Sequence, residues 1–201
     1  PPPPDRARPP DPPPAPLPNR PPPATRPLGR KPESAALEAP LAAAAVRLVT
    51  NTGPGGIGKT RLALAAGALL SEDQRAARAG QPAPDFPHGI VFVPLAPLAL
   101  PEDLAPAIAQ SLGLSLQRCQ DQLLDSLRHR QLLLILDSFE HLLAGVDLLI
   151  DIMRAAPGVK LLVTSREQLQ LQGEHLFPIH GLIYPGQDPT PSALADMDVG
   201  A

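Results

Sequence analysis

The chain has 201 residues, 30 of them proline, a formal net charge of −3 and one cysteine, Cys119. That length suits one domain plus an appendage, the mild charge argues against general nucleic-acid or membrane-surface binding, and a lone cysteine excludes an intrachain disulfide, a usage compatible with a reducing cytoplasm. No apolar run approaches the roughly 18 residues of a membrane span, and the opening prolines are not followed by the apolar core of a signal peptide, so a cytoplasmic location is expected.

Sixteen of the prolines lie within residues 1–32. Residues 1–27 are too poor in apolar side chains to offset ordering entropy and are predicted to be a disordered or polyproline II-like tail. Arg6, Arg8, Arg20, Arg26, Arg30 and Lys31 against Asp5 and Asp11 make this stretch basic. It is read as a linker or frayed end, with an SH3-type ligand or nucleic-acid arm as the functional alternative. Residues 33–45 are Ala/Leu-rich and predicted helical, broken or kinked at Pro40. A strand is expected over 47–52 and a helix over 59–70. Residues 71–87, polar and carrying Gly80, Pro82 and Pro84, are expected to be mostly loop. Then come a buried-type strand over 89–94 and a helix over 101–112 with Glu102 and Asp103 in its first turn. An amphipathic helix follows over 120–130, with Leu123, Leu124 and Leu127 on one face. Residues 131–137 form a continuous apolar run ending in Asp137. A helix over 142–155 stops at Pro157 and Gly158. A strand over 159–164, a short helix over 167–171 and a strand over 175–179 complete the order. Strands that alternate with helices and read as unbroken apolar runs predict an α/β fold, a parallel sheet with helices on both faces.

The motif that gives this frame a chemistry is GPGGIGKT over residues 53–60. It fits G-x-x-x-x-G-K-[ST], the phosphate-binding loop of P-loop NTPases, and it sits between a predicted strand and a predicted helix as that loop must. Gly53, Gly55, Gly56 and Gly58 let the backbone approach phosphate oxygens. Lys59 is expected to reach the β/γ-phosphates and Thr60 to ligate Mg²⁺. Arg61 opens the helix behind them, whose positive dipole end faces the anion. The apolar run ending in Asp137 has the Walker B pattern, which places a carboxylate for Mg²⁺ at the C-terminal end of a buried parallel strand.

Four further positions, Ser138, Glu140, His141 and Arg166, bear on the chemistry. Ser138 stands where many ATP-hydrolysing proteins carry an acid. Glu140 is read either as an acid near the γ-phosphate or as a first-turn helix acid favoured by the dipole. Its neighbour His141 reads as a surface or capping histidine. Arg166, after the next strand, is either a sensor of the γ-phosphate or the partner of a nearby acid, with Ser165 capping the short helix. Asn51 is a polar residue inside an otherwise apolar strand, and the pattern supplies no reason for it.

Residues 49–63 (VTNTGPGGIGKTRLA), 134–142 (LILDSFEHL) and 162–167 (LVTSRE) resemble the nucleotide-binding module of STAND-class signalling ATPases, the NB-ARC-like modules of large bacterial transcriptional regulators. Residues 92–96 (FVPLA) and 173–178 (GEHLFP) are also similar to that subfamily. The resemblance implies a five-stranded parallel core, ATP or ADP with Mg²⁺ as cofactors, and a nucleotide-controlled switch. It implies that the loop glycines, Lys59 and Thr60 cradle phosphates, that Asp137 serves Mg²⁺ and that Arg166 senses the γ-phosphate. Gly29 and Arg30 are similar to a short family motif that packs near the adenine. Ser138 departs from the Asp or Asn of relatives, which puts efficient hydrolysis in question.

The expected organisation is a Pro-rich tail over 1–27, a P-loop nucleotide-binding domain over 28–184 and a disordered C-terminal tail over 185–201. Lid and winged-helix parts of such regulators lie outside these residues, so the chain is expected to be a fragment or truncated product. The expected function is an ATP/ADP-binding regulatory module with weak or absent hydrolysis. Its partners are nucleotide and other proteins or further copies, without direct nucleic-acid contact. A small-molecule kinase and a degenerate interaction scaffold are the alternatives.

Overall fold

The structure is a computed structural model that describes residues 31–77, 86–115 and 119–179. Its helices are α1 (Lys31–Ala42), α2 (Lys59–Ala77), α3 (Leu104–Ser111), α4 (Cys119–Leu127) and α5 (Val146–Ala155), and its strands β1 (Leu48–Thr52), β2 (Ile90–Pro94), β3 (Leu132–Asp137), β4 (Val159–Ser165) and β5 (Glu174–Pro178). All five strands pair in parallel, in the order β2-β3-β4-β1-β5. The expected five-stranded parallel sheet with helices on both faces is present. The Pro-rich tail, Gly29, Arg30 and the C-terminal tail lie outside the described residues.

The strand sequences explain why both faces are covered. Every residue of β3 is buried, so alternate side chains must pack on opposite sides of the sheet. Val49, Leu133, Ile135 and Leu162 meet Leu37 and Leu41 of α1 and Leu62, Ala66 and Leu70 of α2. On the other side, Leu48, Leu134, Leu136, Leu161 and Val163 meet Leu104 and Ile108 of α3, Leu123 and Leu127 of α4, and Leu149 and Ile152 of α5. Two cations tie helix ends to the sheet. Lys160 Nζ donates to the carbonyls of Leu41 and Ala43 at the end of α1. Arg47 donates to those of Ala156 and Val159 just past α5. Both groups hold their protons less tightly than usual. Burial is the cause for Arg47, and burial followed by the neighbouring Arg47 charge for Lys160.

Some elements differ from expectation. Helix α2 runs on through Ala77, so residues 71–77 are helical where loop was expected. α1 runs through Pro40 in its last turn, giving up there the one i→i−4 bond that this residue cannot donate. Residues 101–112 divide into a 3-10 turn (Pro101–Asp103) and α3, and residues 142–155 into a 3-10 turn (Leu143–Gly145) and α5. The helix expected over 167–171 is absent. The Glu174 carboxylate accepts the N–H groups of Leu169 (2.9 Å) and Leu171 (3.3 Å), and Gln170 between them takes a left-handed φ of 58°. A side chain has taken the donors that a helix would have used.

Candidate phosphate-loop site

β1 ends at Thr52 and α2 begins at Lys59, so residues 53–58 form a short loop at the C-terminal edge of the sheet. Gly56 and Gly58 have φ of 76° and 99°, left-handed values that a side chain would strain. The loop closes through Leu62 N–H to Gly58 O, 3.0 Å, and Ile57 N–H to Pro54 O, 3.4 Å. Lys59 is only 9% exposed. Its ammonium donates to Gly53 O at 2.7 Å and Pro54 O at 3.0 Å, so it folds across the loop it follows.

A row of polar side chains runs under the start of α2. Thr60 Oγ1 donates to Asp137 Oδ1 at 2.7 Å, and Thr164 Oγ1 donates to the same oxygen at 2.7 Å. The Thr164 hydroxyl also accepts the N–H of Ser138, 2.8 Å. The register of β1 on β4 sets Asn51 opposite Thr164, and Asn51 Nδ2 donates to Lys59 O at 3.2 Å. Three neighbouring strands thus carry Asp137, Thr164 and Asn51 near their ends, on the face that α2 covers. All three are buried, and each makes a hydrogen bond that offsets part of the cost of leaving water.

Beyond Asp137 the chain turns sharply. Ser138 has φ 66°, an uncommon left-handed value for a residue with a side chain. Ser138 and Phe139 are then held to β4 by their N–H groups, Phe139 through Thr164 O at 2.9 Å. The turn returns Glu140 towards the loop, where its Oε1 accepts from Arg166 Nε at 3.2 Å. The Arg166 guanidinium lies against the loop, with Nη2 3.6 Å from where a Cβ on Gly55 would sit. Glu140 Oε2 is buried and has no hydrogen-bond partner among the described residues.

The structure therefore brings Gly53, Gly55, Gly56, Gly58, Lys59, Thr60, Asp137, Glu140 and Arg166 to one edge of the sheet. Arg61, one residue past Thr60, is exposed. Arg166 pairs with an acid, Glu140, which is the structural one of its two readings, and its guanidinium also lies beside Gly55 of the loop. Ser165 Oγ accepts the N–H of Glu167 at 3.2 Å, a local turn and not a helix cap. His141 stands apart from the cluster, with Nε2 3.1 Å from Leu98 O. Gly29 and Arg30 fall outside the described residues. Sequence reasoning missed Thr164 and left Asn51 without a role. Alternation along β1 and β4 carried the signal, since it sets both on the face of Asp137.

Among the described residues no group of three or more His, Cys, Asp or Glu side chains is placed to hold a metal. The Thr60 hydroxyl and the Asp137 carboxylate are instead two hard oxygen donors, a set that fits Mg²⁺ when phosphate and water supply the rest.

A parallel sheet, a glycine loop at its C-terminal edge and a helix starting at that loop define a P-loop NTPase-like α/β fold. Residues 46–171 match the AAA domain family, and the chain belongs to it. It is 36% identical over 133 residues to the Mycobacterium tuberculosis H37Rv protein named "Putative HTH-type transcriptional regulator Rv0890c", a match covering 64% of this chain and 13% of that protein. It is 34% identical over 132 residues to "Uncharacterized protein Rv0894" of the same organism, covering 64% of this chain and 30% of that one. The chain thus spans a minor part of the length of these relatives. Among solved structures, the Aeropyrum pernix ORC1 protein in complex with DNA superposes with a TM-score of 0.55 at 22% identity, over 76% of this chain and 46% of that one. The Aeropyrum pernix ORC2 protein, solved as ADPNP-ADP complexes, gives 0.52 at 18% identity, over 82% and 50%. Both show the fold. Among the described residues no helix is long and apolar enough to cross a membrane.

Proposed function

We propose that this chain is an ATP- and ADP-binding module that works as a nucleotide-dependent switch within a regulatory protein of the STAND or NB-ARC kind. The observation that carries the reading is the Asp137 carboxylate shared by Thr60 and Thr164, 2.7 Å from each hydroxyl, beside a glycine loop closed by Lys59. In this reading the N–H groups of residues 55–60 and the Lys59 ammonium bind the phosphates. Thr60 and Asp137 hold Mg²⁺, whose charge would offset that of the β- and γ-phosphates. Arg166 meets the γ-phosphate, as a forked donor suits, after leaving Glu140. Gly29, Arg30 and Arg61 are assigned to the nucleotide's other edges.

Hydrolysis is proposed to be weak. Ser138 has no carboxylate to orient water, and Glu140, the other acid at this edge, is engaged with Arg166. The named regulator supports the signalling role, and the ADPNP-ADP complexes of the ORC2 protein support the nucleotide. Partners are proposed to be nucleotide together with other proteins or further copies, in the cytoplasm, with nucleic-acid contact made by other parts of such a regulator.

Isothermal titration of the full chain with Mg-ATP and Mg-ADP tests the reading. Saturable heat with both nucleotides is expected, and none with Lys59→Ala. A folded wild type that gives no heat with either nucleotide would refute it.

A further inference from the structure

Asn51 is fully buried in β1 on the face that packs against α1 and α2. Its strand neighbour on that face, Val49, belongs to the apolar cluster with Leu162, Ile135 and Leu62. An apolar side chain at position 51 would extend that cluster. Asn51 instead leaves Oδ1 buried with no hydrogen-bond partner among the described residues, an arrangement that costs stability. Its other end, Nδ2, reaches the carbonyl of Lys59, the first residue of α2.

That bond has a particular geometry. Asn51 and Lys59 flank residues 52–58, so the contact closes the phosphate loop at its base. Thr60 is anchored to β3 through Asp137, and Lys59 is anchored to β1 through Asn51. The first turn of α2 is therefore held from two strands, on either side of β4. Without the Asn51 bond the turn keeps the Asp137 anchor and the packing of Leu62, but its leading residue Lys59 loses its tie to β1 and can shift, moving the loop N–H groups and the Lys59 stem together.

We infer that Asn51 is a positioning residue that fixes the phosphate loop to the sheet at the expense of fold stability. The inference rests on the nucleotide-binding reading for its consequence, and its physical core is independent of any ligand.

The test compares the full chain with Asn51→Leu and Asn51→Ser. Leucine removes the bond and the orphaned oxygen together, and serine is too short to span to Lys59. Hydrogen–deuterium exchange without nucleotide is expected to quicken over residues 53–62 in both variants, with the strands still protected. The Tm of Asn51→Leu is expected to equal or exceed that of wild type, while its Mg-ATP affinity falls about five-fold, the scale of one hydrogen bond. A purely structural role would lower Tm and quicken exchange throughout the sheet. Unchanged exchange over 53–62 in both variants, or unchanged affinity in a folded Asn51→Leu, overturns the inference. If wild type binds no nucleotide, the functional reading falls, and exchange still decides whether Asn51 holds the loop.

Discussion

Asp137 Oδ1 accepts two hydroxyls at 2.7 Å, and under the proposed Mg²⁺ site the two donors would have different fates. Thr60 is the proposed ligand and must turn its lone pair outward. Thr164 would keep its bond and go on accepting the Ser138 N–H, 2.8 Å away. Thr164→Val removes both contacts and leaves that N–H without its acceptor. It is expected to lower stability by about 1–3 kcal/mol, the usual penalty for such a loss, and to weaken the Mg²⁺ dependence of nucleotide binding, with Thr164→Ser restoring both. Denaturant titration and calorimetry with and without Mg²⁺ measure these effects. Glu140 makes a different prediction. In the proposed reading its pair with Arg166 would compete with the γ-phosphate, which ATP carries and ADP lacks. Glu140→Gln should raise ATP affinity relative to ADP by up to about five-fold, the worth of a partly exposed ion pair, read by competition titration. An unchanged ATP to ADP ratio would show that the pair does not control access to Arg166.

At the scale of elements, Lys160 and Arg47 join helix ends to strands that sequence patterns treat as separate. Lys160 on β4 donates to the last carbonyls of α1. Lys160→Met is expected to cost about 1–2 kcal/mol by freeing those acceptors. The pH dependence has a definite sign. Burial and the Arg47 charge lower the Lys160 pKa in the folded state, so between that lowered value and the ordinary lysine value the unfolded chain binds more protons. Wild-type stability therefore gains on the Met variant as pH rises through that window. Parallel urea titrations at neutral pH and across the alkaline range measure the gap. The same elements show what was legible in the sequence. The unbroken apolar run of β3 and the apolar residues 161–163 of β4 identify a sheet buried on both faces, and the loop glycines with Lys59 and Thr60 mark the site. The short helix over 167–171 misled because Glu174 takes its donors, a contact that local propensity does not contain. Asn51 and Thr164 were obscure for a related reason: their partners are set by strand register.

For the whole molecule, the sheet is the common wall of both apolar clusters. Leu48 and Val49, adjacent in β1, belong one to each. Neither layer of helices can leave without exposing a face of the same strands, so the described domain is expected to unfold as one cooperative unit. A ligand at the loop edge must then stabilise all of it by mass action. With nucleotide at a hundred times its Kd, the gain is about 2.7 kcal/mol, and each further tenfold adds about 1.4 kcal/mol. The expected result is a single thermal transition, coincident by circular dichroism and calorimetry, whose Tm climbs with the logarithm of Mg-ATP concentration. In Lys59→Ala, which removes the ammonium held by Gly53 O and Pro54 O, the climb is expected to vanish while the transition stays single. Two resolved transitions, only one of them moved by nucleotide, would mean that the two helical layers are energetically separable, and that the loop anchors β1 and α2 without coupling them to α3, α4 and α5.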